Sequence, residues 1–168
     1  MKTILGVFST HKKAEDTLKE LQDYGVSKAD LSYLYVDVKG DMHDDVSKAA
    51  SGAAVGATTG VVVGALAGLI VANGILPGLG TLFVAGPLAA ALGLTGAVAT
   101  TAAGAATGLA AGALIGGFAK MGINDADAAL YQSLVERGDV LVIAHTDLMV
   151  KNIFLRNQAE EVREYSDV

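Results

Sequence analysis

Ser51-Gly-Ala-Ala-Val-Gly56-Ala-Thr-Thr-Gly60-Val-Val-Val-Gly64-Ala-Leu-Ala-Gly68 places five glycines at strict four-residue intervals: Gly52, Gly56, Gly60, Gly64 and Gly68. A second row follows at Gly104, Gly108, Gly112 and Gly116. Both rows lie within residues 49–119, a stretch without one charged side chain. Four residues is close to one helical turn, so each row predicts a strip that a second helix backbone can approach closely. Small residues at this spacing are a known device for associating helices in lipid. Successive positions drift about 40° around the helix, so five glycines sweep about 160°. Such a sweep calls for a steep crossing or for more than one partner per helix.

The spacing predicts one helix over 49–73, a broken linker over 74–93 and a second helix over 94–119. The first, Ser51 to Ala72, measures roughly 33 Å at 1.5 Å per residue, against about 30 Å for a hydrocarbon core. Bulk supports an antiparallel pair. Each helix starts small, with Ala53, Ala54 and Ala57 or Ala97, Thr100 and Thr101, and ends large, with Leu66, Leu69 and Ile70 or Leu114, Ile115 and Phe118. Lys48 and Lys120 bracket the insertion.

The flanks have a different texture. Thr3 to Phe8 reads as a strand. Ser9 or Thr10 caps a helix with Ala14, Leu18 and Leu21 on one face and Lys12, Lys13, Glu15, Asp16, Lys19 and Glu20 on the other. Gly25 stops it, and Leu31 to Val36 forms a strand with Tyr33 and Tyr35 on one side. After the insertion, Asn124 or Asp125 caps a helix with Ala129, Leu130, Leu134 and Val135 inward, ended by Gly138. Val140 to Ala144 is an unbroken apolar run, as in a central strand. Thr146 or Asp147 caps a helix burying Val150, Ile153 and Phe154, and a final strand covers Glu161 to Tyr165. With the middle removed, the order is β-α-β followed by α-β-α-β. The expected fold is therefore α+β: a ferredoxin-like split βαβ domain from 1–48 and 120–168, interrupted by a long apolar glycine-zipper helical hairpin over 49–119. Neither flank is large enough to build a core alone.

Composition narrows the chemistry. Across 168 residues the net charge is −6 and no basic cluster exists, which argues against nucleic-acid partners. There are no cysteines, hence no thiolate metal site, iron–sulfur cluster or cysteine nucleophile. The first residues, Met1 to Lys13, do not have the pattern of a signal peptide. Asp41, His43, Asp44 and Asp45 offer oxygen and imidazole ligands but read as a solvated acidic loop. His145 reads as a strand-end residue with no identifiable Ser or Cys partner, and His11, near Lys12 and Lys13, as a helix-start surface residue. No Gly-Lys-Ser or Gly-Lys-Thr follows the glycines, so they are no phosphate loop. No catalytic, cofactor or metal residues are assigned.

Gly74-Ile-Leu-Pro-Gly-Leu-Gly80, Ala85-Gly-Pro-Leu-Ala-Ala-Ala-Leu92, the second glycine row, Met121-Gly-Ile-Asn-Asp-Ala-Asp-Ala-Ala-Leu-Tyr131 and Arg137-Gly-Asp-Val-Leu-Val142 together resemble a bacterial general stress protein family. It includes heat-induced and low-temperature-induced membrane proteins of unknown function. The resemblance covers about residues 1–155. Asn124 and Thr81 stand where that family often has Pro. It implies a stress-linked, membrane-associated role and supplies no catalytic residues. The resulting expectation is a non-enzymatic protein of the bacterial cell membrane, its α/β domain cytoplasmic, self-assembling as a homo-oligomer through the glycine rows, with the lipid bilayer as a further partner. Two alternatives stand beside it: a soluble homo-oligomeric shell or filament with the hairpins as its core, and a regulatory domain sensing a small ligand.

Overall fold

Residues 1–37, 71–76, 80–92 and 112–166 are described by the computed structural model. Their elements are β1 (Lys2–Phe8), α1 (His11–Asp23), a 3-10 turn (Lys28–Asp30), β2 (Leu31–Asp37), β3 (Val71–Leu76), β4 (Gly80–Ala85), α2 (Pro87–Ala91), α3 (Ala113–Ala119), α4 (Asp125–Glu136), β5 (Val140–Thr146), α5 (Lys151–Arg156) and β6 (Glu161–Ser166). The fold is α+β. The six strands form one antiparallel sheet in the order β3-β4-β2-β5-β1-β6.

Successive strand residues face opposite sides, so a strand apolar at every position must be covered twice. β5 is such a strand: Val140 to Ala144 are all buried. On one side Val140, Val142 and Ala144 join Ile4, Phe8, Leu31 and Tyr33 under α1 and α5, which contribute Leu18, Leu21, Ile153 and Phe154. On the other, Leu141 and Ile143 join Leu5, Val7, Leu34 and Val36 under α2, α3 and α4, which contribute Leu88, Phe118, Tyr131 and Val135. The sheet is thus the middle of three layers, with β2 and β5 at its centre.

The flanking expectations meet this structure closely, with local exceptions. Thr10 is the α1 cap, accepting from the Lys13 amide, and Gly25 ends the helix at φ +108°. Asn124 caps α4. Ala128, Tyr131 and Val135 are the buried face of α4, whereas Ala129 and Leu130 are exposed and Leu134 is half-buried. The inward stripe is therefore rotated by about one residue, because Tyr131 is the anchor. α5 begins at Lys151, later than a cap at Thr146 or Asp147 predicts, since the Thr146 hydroxyl instead accepts from the Leu148 amide in a tight turn.

The middle of the chain departs from the predicted hairpin. Val71, Ala72 and Asn73, expected to end a helix, belong to β3, and β4 lies where a linker was expected. β3 pairs antiparallel with β4, from Val71 opposite Ala85 to Leu76 opposite Gly80, and β4 pairs with β2. Pro77 and Gly78, read as helix breakers, join two β-rich runs, which is equally the signature of a hairpin. The helix predicted over 94–119 does not continue through Gly112, which stands at φ +94° in front of α3. Among the described residues no helix is long and apolar enough to cross a membrane. That overturns the expected transmembrane hairpin and the cell-membrane location that rested on it.

The insertion is also divided. β2 and β3 run parallel with β4 between them, so Asp37 and Val71 lie at opposite ends of the sheet. Residues 38–70, with Gly52 to Gly68, leave and return there. Residues 93–111, with Gly104 and Gly108, leave after α2 and return before α3. In the sequence, Gly52 to Gly68 thus fall between β2 and β3, and Gly104 to Gly116 between α2 and the end of α3.

α2 is held by groups distant in sequence. Gly86 at its N-cap offers no side chain, and Pro87 has no amide hydrogen. The Leu88 amide is satisfied instead by the buried Ser32 hydroxyl of β2, at 3.0 Å. At the other end the Lys120 ammonium donates to the Ala91 carbonyl at 2.8 Å. Gly86 itself has φ +79°, and a β-carbon there would overlap the Leu31 carbonyl. Gly86→Ala is expected to cost more than about 2 kcal/mol, and Ser32→Ala, which strands a buried donor, about 1–3 kcal/mol. Urea unfolding followed by circular dichroism measures both.

Candidate functional site

Two positions of the glycine rows, Gly112 and Gly116, lie among the described residues, and the row expected to face them does not. Gly112 precedes α3, and Gly116 is exposed within it; a β-carbon on either meets no described atom within 4 Å. The close contact is one residue on, at Gly117, where a β-carbon would come within 2.5 Å of Leu92 Cδ2. Gly117 is thus the small residue that lets α3 lie against α2 over the sheet. Gly52, Gly56, Gly60, Gly64, Gly68, Gly104 and Gly108 lie outside the described residues, as do Asp41, His43, Asp44 and Asp45. Among the described residues no group of three His, Asp or Glu is placed to hold a metal ion.

His145 is not an isolated strand-end residue. Thr3 Oγ1 donates its one hydrogen to the Met121 carbonyl at 3.1 Å and lies 2.9 Å from His145 Nδ1. With the hydroxyl proton already used, the hydrogen of the second contact belongs to His145 Nδ1. This short network ties β1 and β5 to the turn after α3. It fastens the two strands to that turn.

At the N-terminus of α4, Asn124 Oδ1 accepts from the Asp127 amide, and the Asp127 carboxylate accepts from Asn124, Arg163 and the Tyr165 hydroxyl. Because Tyr165 donates to Asp127, the 2.7 Å contact between the Tyr165 and Tyr131 hydroxyls is donated by Tyr131. Burial works to raise the Asp127 carboxyl, but the hydrogen bonds from Asn124, Tyr165 and Arg163 outweigh it and hold the group below its usual value. A carboxyl held down stabilises the fold above its ordinary range, and that contribution is lost as pH falls through its native value. The cluster clamps the edge strand β6 to α4. Asn124→Ala should cost about 1 kcal/mol of stability, read as a lower urea midpoint with unchanged slope.

Glu15 is at odds with its surroundings. The helical pattern puts it among the solvent-facing charges of α1, yet it is 2% exposed, and its Oε1 is buried without a hydrogen-bond partner. His11, one turn earlier, is drawn toward β2: its Nδ1 lies 2.5 Å from the Tyr33 hydroxyl, and its ring meets Tyr35 edge-on at 4.0 Å between centroids. Burial first, and then the nearby Asp16, raise the Glu15 carboxyl to about 7, with Lys12 opposing. Burial, and after it the Glu15 charge and Tyr35, push the Tyr33 phenol well up. Tyr33 therefore keeps its proton, and its hydroxyl shares one hydrogen bond with His11 Nδ1. His11, Glu15, Tyr33 and Tyr35 form one seam between α1 and β2. The available sequence signal was the i, i+4 spacing of His11 and Glu15 beside Ala14 and Leu18, set against a strand carrying two tyrosines on one face.

Comparison with known protein families, with characterised proteins and with solved structures finds no match to this chain.

Proposed function

We propose that this chain is a non-enzymatic structural protein that self-associates through its two uncharged glycine-row segments, in the stress-linked setting that the family resemblance implies. Its body is read as a ferredoxin-like split βαβ unit. The strand order β2-β5-β1-β6, with α1 joining β1 to β2 and α5 joining β5 to β6, supports that reading. In it, α4 is an additional helix, and β3, β4, α2 and α3 are additions that extend the sheet and cover one face.

The observation that carries the assembly reading is the pair of neighbours Gly116 and Gly117. Gly117 uses its missing side chain inside the body, against Leu92, while Gly116, the last member of its row, is exposed on α3. The row thus reaches the surface of the body at a helix that is already packed on its other side. Small residues at four-residue spacing allow close backbone approach between helices. The uncharged composition of residues 49–119 disfavours leaving them in water.

Purified full-length chain is expected to sediment as a homo-oligomer in buffer without detergent. Gly60→Leu and Gly108→Leu, one in each row, should shift it toward the monomer while leaving the far-ultraviolet circular dichroism of the body unchanged. A monomeric parent chain at tens of micromolar, or oligomers indifferent to both substitutions, would overturn the proposal.

A further inference from the structure

Glu15 is buried where Lys12 answers its charge only in part. On its own helix its charged neighbours are Lys12 and Asp16, of which Lys12 already pairs with Asp16 at 3.5 Å. β2 presents Tyr33 and Tyr35, and His11 is engaged with both. β1 and β5 present Ile4, Phe8, Val140, Val142 and Ala144, and α5 presents Val150, Ile153 and Phe154, all apolar. Arg156 of α5 is committed to Glu20, which also accepts from Asn157. Among the described residues the cation acting on Glu15 is Lys12, shared with Asp16, and the Glu15 Oε1 has no donor. A protonated carboxyl is tolerated in such a place, whereas an ionised one must be hydrated or must move.

We propose that the seam between α1 and β2 is a proton-operated latch: protonated Glu15 lets the first turns of α1 lie closed over Tyr33, and loss of that proton draws water to the carboxylate and opens them. Opening breaks the His11–Tyr33 hydrogen bond and uncovers Tyr35. It acts on β2, the strand from whose end, Asp37, residues 38–70 and the first glycine row depart.

The sign follows from linkage. In the closed state the carboxyl titrates near 7, against 4.5 for an unburied glutamate. Closure is most favoured below the lower value, weakens through the interval and is level again above the upper one.

Hydrogen exchange of the α1 amides, corrected for intrinsic rates, tests the latch in the full chain. Protection over His11 to Leu21 should fall about thirtyfold between about pH 5.5 and 8.5, through one carboxyl shifted by the stated interval. Protection of β5 should stay level in the same samples. Glu15→Gln should abolish the pH dependence and keep α1 closed at high pH. His11→Gln should retain it, because the invoked proton is not on the imidazole. Protection of α1 that is flat in the parent chain, or that falls equally in Glu15→Gln, overturns the latch. So does a dependence that disappears only in His11→Gln. Should Glu15→Gln fold poorly, the side-chain carboxyl carbon-13 shift of Glu15 in the parent chain decides the matter. A midpoint near neutral upholds the latch, and one near the ordinary glutamate value overturns it.

Discussion

A strand that is apolar on both sides cannot sit at the surface of anything. β5 imposes that condition on this chain, and the rest of the architecture answers it. Residues Val140 to Ala144 send side chains alternately to two faces, and both sets are fully enclosed. β1 lies beside it with Ile4 and Phe8 on one face and Leu5 and Val7 on the other. One helical layer, α1 with α5, meets the first face; α2, α3 and α4 meet the second. Apolar burial stabilises by roughly 25 cal/mol per Å² removed from water, so leaving either face open would forfeit much of the driving force for a chain of this size.

The second layer is assembled from parts that have little strength of their own. α2 has five residues and α3 seven, both below the length at which a helix in water persists. They are fastened by side chains from elsewhere: Ser32 on the first free amide of α2, Lys120 on its last carbonyls, and Thr3 on the carbonyl of Met121. Two of these fasteners, Thr3 and Ser32, are polar residues in otherwise apolar strands. They stand on the face that the inserted elements cover, which explains why an apolar alternation is broken there without loss.

The flanking elements were readable because periodicity and caps agreed: Thr10, Gly25, Asn124 and Gly138 mark boundaries in both sequence and structure. Residues 71–76 and 80–85 depart from the expected helix end and linker. Val71 to Leu76 and Gly80 to Ala85 carry equally strong strand character around Pro77-Gly78, and the sheet edge offered by β2 decides between them. Glu15 was misplaced for a different reason. Residue type alone assigns a glutamate to the solvent side, while its actual setting depends on Tyr33 and Tyr35, which are distant in sequence and come near only through β2. The Asn124–Asp127–Tyr165–Tyr131 cluster joins residues far apart in the chain and had no local signature beyond the cap.

The pairing of β1 has a consequence for the order in which the protein can be built. Its two neighbours in the sheet are β5 and β6, so Lys2 to Phe8 find partners only in residues 140–146 and 161–166. A ribosome delivers both glycine-rich excursions before either partner strand exists. During that interval β1 and β2, which are separated in the finished sheet by β5, have no strand between them to close the gap. Folding is therefore dominated by contacts of large sequence separation and should be slow.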